Sequence, residues 1–396
     1  MAAYRRLLSS VFPFKALTRD VRLICLSSII GAFGEGLYFW VFPLYIRTLQ
    51  ADYVQLGIVL SALMGFAALV PLPGGFLADR FDRKKILILS WTPWIFAPLI
   101  YSFAVDWPQL IPGTVCWGIS MIGAPAFIAY VITSVGDKRM LASVLALVFS
   151  SYSLSYVFAP ATGGYLATII GMRWVLRLST VLAAVSTGIF FFLHSQHPRR
   201  EEAKTHDESL PAPEEKRLLR KIILWSIFLT LISFFISIGR PYVQTFLAES
   251  VRMSEFQIGL FGSINSAGIT FIGIAIGRVG DKWKKSGAIS VCLLLYVSSI
   301  IPLLLIKETT TLMLMAFLLG GSAVSGSLVS SFVGTIAPRT KRGLWVSIPQ
   351  TFSLVASFAA PYLGGYLYSA SPYYAFIISV SGIPFLAIYA MTKLKD

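Results

Sequence analysis

Apolar runs of about twenty residues recur along this chain, separated by short polar and charged segments. A helix rises 1.5 Å per residue, so ~20 apolar residues cross ~30 Å of hydrocarbon. The pattern predicts spans at 22–48, 54–78, 86–105, 109–134, 141–169 and 173–193. A second set follows at 221–247, 256–277, 286–306, 311–336, 343–369 and 372–392. Between the sets, His194 to Arg220 holds Pro198, Pro211, Pro213 and mixed charges, and reads as a linker with a short surface helix.

Composition agrees with a membrane protein. Hydrophobic residues make up 56% of the 396 and charged residues 13%, about half the share of a soluble domain. Mean hydropathy is +0.75. The net charge of +15 would suit a nucleic-acid binder, but its distribution points elsewhere. Twenty-seven of the 33 Lys and Arg lie in the termini and the even-numbered loops. Five lie on the opposite side (Arg47, Arg173, Arg177, Arg252 and Lys307), and Arg240 alone falls within a span. This asymmetry predicts a multi-pass protein of the cell membrane with cytoplasmic N- and C-termini and linker. Contact with membrane lipids is expected; nucleic acid and an obligate protein partner are not. The first twenty residues lack a continuous apolar segment, so no cleaved signal peptide is expected. Cys25, Cys116 and Cys292 sit in apolar runs without CxxC spacing, so neither a disulfide framework nor a metal site is expected. No cofactor is implied, since a GxxxxGK[ST] segment is missing. The spans contain no histidine and a single deep acid, too little for an enzyme's nucleophile–base pair.

The two sets of spans repeat each other. Gly75-Phe-Leu-Ala-Asp79-Arg80-Phe-Asp82-Arg83-Lys84-Lys85 follows span two, and Gly277-Arg-Val-Gly-Asp281-Lys282 follows span eight, with the aspartates 202 residues apart. Span five holds Ala159-Pro160-Ala-Thr-Gly163-Gly164-Tyr165, and span eleven holds Ala360-Pro361-Tyr-Leu-Gly364-Gly365-Tyr366, 201 residues on. Gln55-Leu56-Gly57 and Gln257-Ile258-Gly259 return the 202 offset. The predicted fold is therefore all-α and integral to the membrane. Twelve transmembrane helices form two pseudo-symmetric six-helix bundles, 1–193 and 221–396, joined by a cytoplasmic linker at 194–220.

On these motifs the chain resembles the major facilitator superfamily over essentially its whole length, closest in pattern to drug:proton antiporter-like members. The first loop is similar to that family's signature between helices two and three, with Asp82 in place of a second glycine. The span-five element is similar to the proline–glycine element of the antiporters, with Ser155 and Ala159 at positions usually glycine. The fourth span, where those antiporters carry an arginine, reads Thr114-Val-Cys-Trp-Gly118. The resemblance implies a secondary transporter working by alternating access.

Within that frame, Gly75, Asp79, Arg80, Arg83 and Asp281 are expected to form a cytoplasmic gate. A carboxylate facing a helix start gains from its free N–H groups. Pro160, Gly163, Gly164, Pro361, Gly364 and Gly365 are expected to let spans five and eleven bend, with plain helix packing as the other reading. Ionisable residues at membrane depth are costly and hence functional candidates. Glu35, inside Gly34-Glu35-Gly36 of span one, is the candidate proton-coupling residue. Burial disfavours the charged carboxylate and a nearby guanidinium favours it, so a rocking motion can load and release a proton. Arg240, Tyr38, Phe42, Tyr242, Gln244, Asn265 and Gln350 are the candidate substrate-binding residues, with Ser233 and Ser237 extending a polar stripe from Arg240. The expected function is proton-coupled export of small amphipathic or aromatic compounds. The alternatives are proton-coupled uptake or exchange of a small organic anion held by Arg240, and a non-transporting membrane sensor.

Overall fold

A computed structural model describes residues 17–136, 140–197, 212–282, 285–336 and 342–393. Residues 198–211 of the linker lie outside the described residues, and its last nine residues are not a separate surface helix but the start of the helix Ala212–Gly239. The described residues are helical, without strands. The first bundle comprises α1 (Arg19–Phe39), α2 (Tyr53–Leu69), α3 (Arg83–Phe103), α4 (Trp107–Ser134), α5 (Leu141–Ile170) and α6 (Met172–Ile189). The second comprises α7 (Ala212–Gly239), α8 (Glu255–Lys282), α9 (Lys285–Leu305), α10 (Thr309–Ser322), α11 (Arg342–Ala370) and α12 (Tyr374–Ser381). Beyond a bend of 40°, α2 continues as Pro71–Arg80. Helices Ser325–Ile336 and Ile383–Lys393 likewise prolong α10 and α12.

Ten helical stretches among the described residues are apolar and long enough to span a bilayer, or eleven with the bent α2. The twelfth, α11, has 29 residues but dilutes its apolar content with Ser, Gly, Pro and Tyr. The chain is thus a multi-pass membrane protein of twelve helices. Spans one and seven are not uniform helices. Both break near the end away from the termini, at Trp40–Val41 and Arg240–Tyr242, and resume as Phe42–Thr48 and Val243–Glu249.

The repeats have a physical origin at this far end. In α2, Asp52 and Gln55 form a capping box: the Gln55 amide donates to Asp52 Oδ1 (2.7 Å) and the Asp52 amide to Gln55 Oε1 (2.8 Å). In α8, Ser254 and Gln257 do the same at 3.3 and 2.9 Å. The glycine two residues on is a crossing point. A Cβ on Gly57 would lie 2.5 Å from the Pro361 carbonyl oxygen, and one on Gly259 would lie 2.2 Å from that of Pro160. In return, Gly365 and Gly164 fit against the carbonyls of Tyr53 and Glu255. Gly163 and Gly364 seat α5 on Leu37 of α1 and α11 on Ile238 of α7, inside each bundle. Helices α5 and α11 run unbroken through Pro160 and Pro361, so the structure gives their glycines a close-packing role.

The two bundles therefore meet as α5 on α8 and α2 on α11. The Ala161 amide, beside Pro160, donates to Ser263 Oγ of α8 (2.9 Å), and the Tyr242 hydroxyl, seated on the Pro361 carbonyl of its own bundle (2.6 Å), reaches the Tyr53 carbonyl of α2 at 3.3 Å. Trp40 packs on Phe261 and on the space at Gly262. These contacts between the bundles lie at the end away from the termini. The far end is shut.

Candidate functional site

Glu35 is positioned by its neighbours in sequence. Gly34 lets α1 lie against Leu182 of α6, and Gly36 lets it lie against Ala159 of α5. Ser27 and Ser186 bond at 2.9 Å, and the Ser179 hydroxyl donates to the Gly34 carbonyl at 2.7 Å, fastening α1 to α6. This leaves the Glu35 side chain facing α4 and α5. It is 7% exposed.

Two neutral donors hold the carboxylate. Trp117 Nε1 donates to Oε1 at 2.7 Å, and the Tyr152 hydroxyl donates to Oε2 at 3.2 Å. Tyr156 stacks on Tyr152 with centroids 5.1 Å apart. No cation pairs with Glu35; the ion pairs among the described residues are Arg47–Glu249 and His194–Asp20. An indole N–H can only donate, so a proton carried by Glu35 belongs on Oε2, where the Tyr152 hydroxyl can turn from donor to acceptor.

Glu35 lines a cavity of about 310 Å³. Its walls are aromatic, with Trp91 and Trp94 of α3, Phe127 of α4, Phe149 and Tyr152 of α5, and Phe190. Hydroxyls of Ser27, Ser28, Ser120 and Ser186 are the other polar groups there. Aromatic faces plus one acid suit a ligand that is apolar in bulk and positively charged at one point. Every lining residue belongs to the first bundle.

The candidate substrate-binding residues are not gathered around this cavity. Tyr38 and Phe42 are buried and packed edge to face, and both meet Tyr101 of α3; they fill the first bundle between Glu35 and the far end. Tyr242 is fully buried in the α2–α11 closure and stacks on Tyr368. Asn265 is buried against α10, donating to the Ala316 carbonyl, with Oδ1 unpaired. Gln244 is half-buried with Oε1 unpaired, and Gln350 is exposed on α11. Arg240 is half-buried at the break after α7; its carbonyl accepts from the Val243 amide, while its guanidinium makes no hydrogen bond or ion pair to a described residue. The stripe read from it turns inward: Ser233 bonds Ser353 at 2.5 Å and Ser237 donates to Ser357 at 3.3 Å, zipping α7 to α11.

At the opposite end, Asp79 is exposed and has no bonded partner among the described residues. Arg80 lies over the Phe76 ring, and Arg83 donates to Thr133 Oγ1 at 2.6 Å. Gly75 faces open space, whereas Gly74 presses on the Ile122 carbonyl of α4. The Asp281 side chain lies outside the described residues. Asp82, which departs from the family signature, is an anchor for the segment after α6. Its carboxylate accepts from the Ser195 hydroxyl, the Gln196 amide (3.2 Å) and the Lys84 amide (2.9 Å).

Sequence reasoning missed Trp117 and Tyr152, which lie 82 and 117 residues from Glu35. The signal was the fourth span itself, whose polar side chain at this depth is an indole and not a guanidinium.

Comparison with known proteins agrees with this architecture. The sequence model described as "Major Facilitator Superfamily" matches residues 24–240 and 237–395. The chain is 23% identical over 377 residues to "Multidrug resistance protein 2" of Bacillus subtilis, covering 91% of this chain and 92% of that protein. It is 24% identical over 392 residues to "Multidrug resistance protein MdtG" of Salmonella dublin, covering 92% and 94%. The fold superposes on the nucleoside transporter NupG (D323A mutant) with a TM-score of 0.80 at 14% identity, covering 95% of this chain and 100% of that one. The human organic anion transporter MFSD10 gives 0.67 at 16% identity, covering 94% and 99%. With its twelve helices in two repeated bundles and both halves matched, the chain belongs to the major facilitator superfamily and is a transporter, not an enzyme.

Proposed function

We propose that this transporter exports small amphipathic or aromatic compounds bearing a positive charge, in exchange for protons that bind Glu35. The observation that carries the reading is a buried carboxylate held by two neutral donors, in an aromatic cavity, with no cation paired to it among the described residues. An uncompensated buried charge costs several kcal/mol. The group is therefore served by one positive companion at a time, a proton or a cationic ligand. Such mutual exclusion is what an exchanger needs. The multidrug resistance relatives support export over uptake.

The clustering of basic residues supports a reading in which the termini and the linker face the cytoplasm and the closed end faces outside, in a cell membrane. Residues 1–193 and 221–396 then rock about Glu35 and the α5–α8 and α2–α11 seams, with Pro160, Gly163, Gly164, Pro361, Gly364 and Gly365 as the sliding and bending surfaces. When the far end opens, Asp79 and Asp281 close the cytoplasmic end on helix starts of the opposite bundle. Flux of an aromatic monocation in proteoliposomes tests this reading. A gradient of protons should drive it uphill, and gradient-independent flux would refute the coupling.

A second reading rests on Arg240, a cation without a partner among the described residues. Under it, the second bundle holds an anionic group of the substrate, and Arg240→Ala weakens binding without touching the proton dependence.

A further inference from the structure

We propose that the far end of α6 carries a site for an anionic glycerophospholipid. The phosphate sits on Arg173 and Arg177, and an acyl chain lies in the groove beside Trp174. The two arginines are one turn apart at the start of α6, each without an ion pair among the described residues. Arg173 donates to the Ala104 carbonyl at 3.0 Å, and Arg177 lies over the rings of Trp174 (4.5 Å) and Phe103 (5.3 Å). Arg177 Nε is buried with no hydrogen-bond partner.

Their setting lacks negative charge where it is most wanted. The first turn of a helix exposes free N–H groups and the positive end of the dipole, and acids are favoured there. In α6 the first turn has no acidic residue, no side chain caps it, and its ionisable groups are cationic. Glu255 shares a recess with Arg173 but makes no ion pair with it, and Asp106 is engaged by the Trp107 amide. Two guanidiniums one turn apart, beside a helix start that no side chain caps, thus lack the negative charge that an anion would supply.

The apolar half of the site adjoins it. Ile170, Trp174, Leu178 and Val181 line an open groove with Arg177 at its edge. Trp174 and Val181 are both 58% exposed, on the face that looks into the bilayer. A tryptophan and arginines at the water boundary, above an aliphatic trough, match the order of a phospholipid from phosphate to chain. The occupant is an intact lipid of the leaflet at the far end, and the assignment holds whichever substrate the transporter carries.

Purified protein in phosphatidylcholine nanodiscs, with and without phosphatidylglycerol, tests the site by lipid retained after detergent extraction. The native chain should retain phosphatidylglycerol preferentially. Arg173→Gln and Arg177→Gln should each reduce the preference about fivefold. Arg177→Lys should keep most of it, and Lys85→Gln at the opposite end should leave it unchanged. Should Arg177→Gln fail to fold, Arg173→Gln carries the same test. Undiminished preference in Arg173→Gln and Arg177→Gln would overturn the proposal.

Discussion

The Arg47 guanidinium and the Glu249 carboxylate meet at 3.2 Å across the two bundles, and they stand 202 positions apart in the sequence. That number is the offset of the internal repeat, so one structural position of the two halves carries opposite charges that pair across the pseudo-axis. Tyr53 completes the contact, donating to the same carboxylate at 2.7 Å while Arg47 lies over its ring at 4.2 Å. Arg47 also donates to the Ala51 carbonyl. The pair is half-exposed, so its contribution is modest, on the order of 0.2–1 kcal/mol. In a two-state carrier that is still a shift of up to about fivefold in population.

Replacing Glu249 by Gln should therefore favour opening of the far end. Labelling of single cysteines on the inner faces of α2 and α11 should rise by up to about fivefold. An unchanged labelling rate would show that the pair does not bias closure.

Gly259→Ala should act more strongly in the same direction, because its Cβ would lie 2.2 Å from the Pro160 carbonyl oxygen of the facing helix. Backbone cannot yield as a side chain does, and overpacking of this kind costs about 1–3 kcal/mol. Gly188→Ala is the control, with nothing within 4 Å. Spin-label distances across the far end should lengthen for the first and stay fixed for the second.

Asp79→Asn should slow transport while leaving equilibrium substrate binding intact, since the residue is proposed to act only when the cytoplasmic end closes. Weaker binding with normal turnover would place Asp79 elsewhere in the cycle.

Asp82 makes a pH-dependent anchor. Burial pushes its carboxyl up, but the bonds from Ser195, Gln196 and Lys84 and the charge of His197 outweigh it and hold it below the usual carboxylate range. A group so lowered contributes stability above its unfolded pKa of about 3.9 and loses it as pH falls through the folded value. Protection of the Gln196 amide, taken relative to its intrinsic exchange rate at each pH, should thus be high at neutral pH, fall in acid, and be low at all pH in Asp82→Asn. Exchange in the variant matching the native chain would mean that the segment is held by other bonds.

The periodic content of the sequence carried the architecture. Runs of apolar residues marked the spans, and Gln55 with Gln257 and Pro160 with Pro361 marked the repeat. Two facts were hidden because they arise only when helices meet. One is that the two repeated elements touch each other, Gly57 on Pro361 and Gly259 on Pro160. The other is the identity of Glu35's partners, supplied by α4 and α5. Helical spacing misdirected the reading of α7, because Ser233 and Ser237 look polar from sequence yet spend that polarity on Ser353 and Ser357 within the bundle. Tyr242 was hidden for the same reason: its hydroxyl is used by the Pro361 carbonyl in the closed seam.

The central claim is that Glu35 holds a proton or a cationic ligand, never both. Proton release on ligand binding measures it directly, in weakly buffered detergent solution with a pH indicator and an aromatic monocation. The native protein should release protons as the ligand binds, and Glu35→Gln should release none while its fold and thermal stability persist. Equal release from the native chain and the Gln variant would contradict the account.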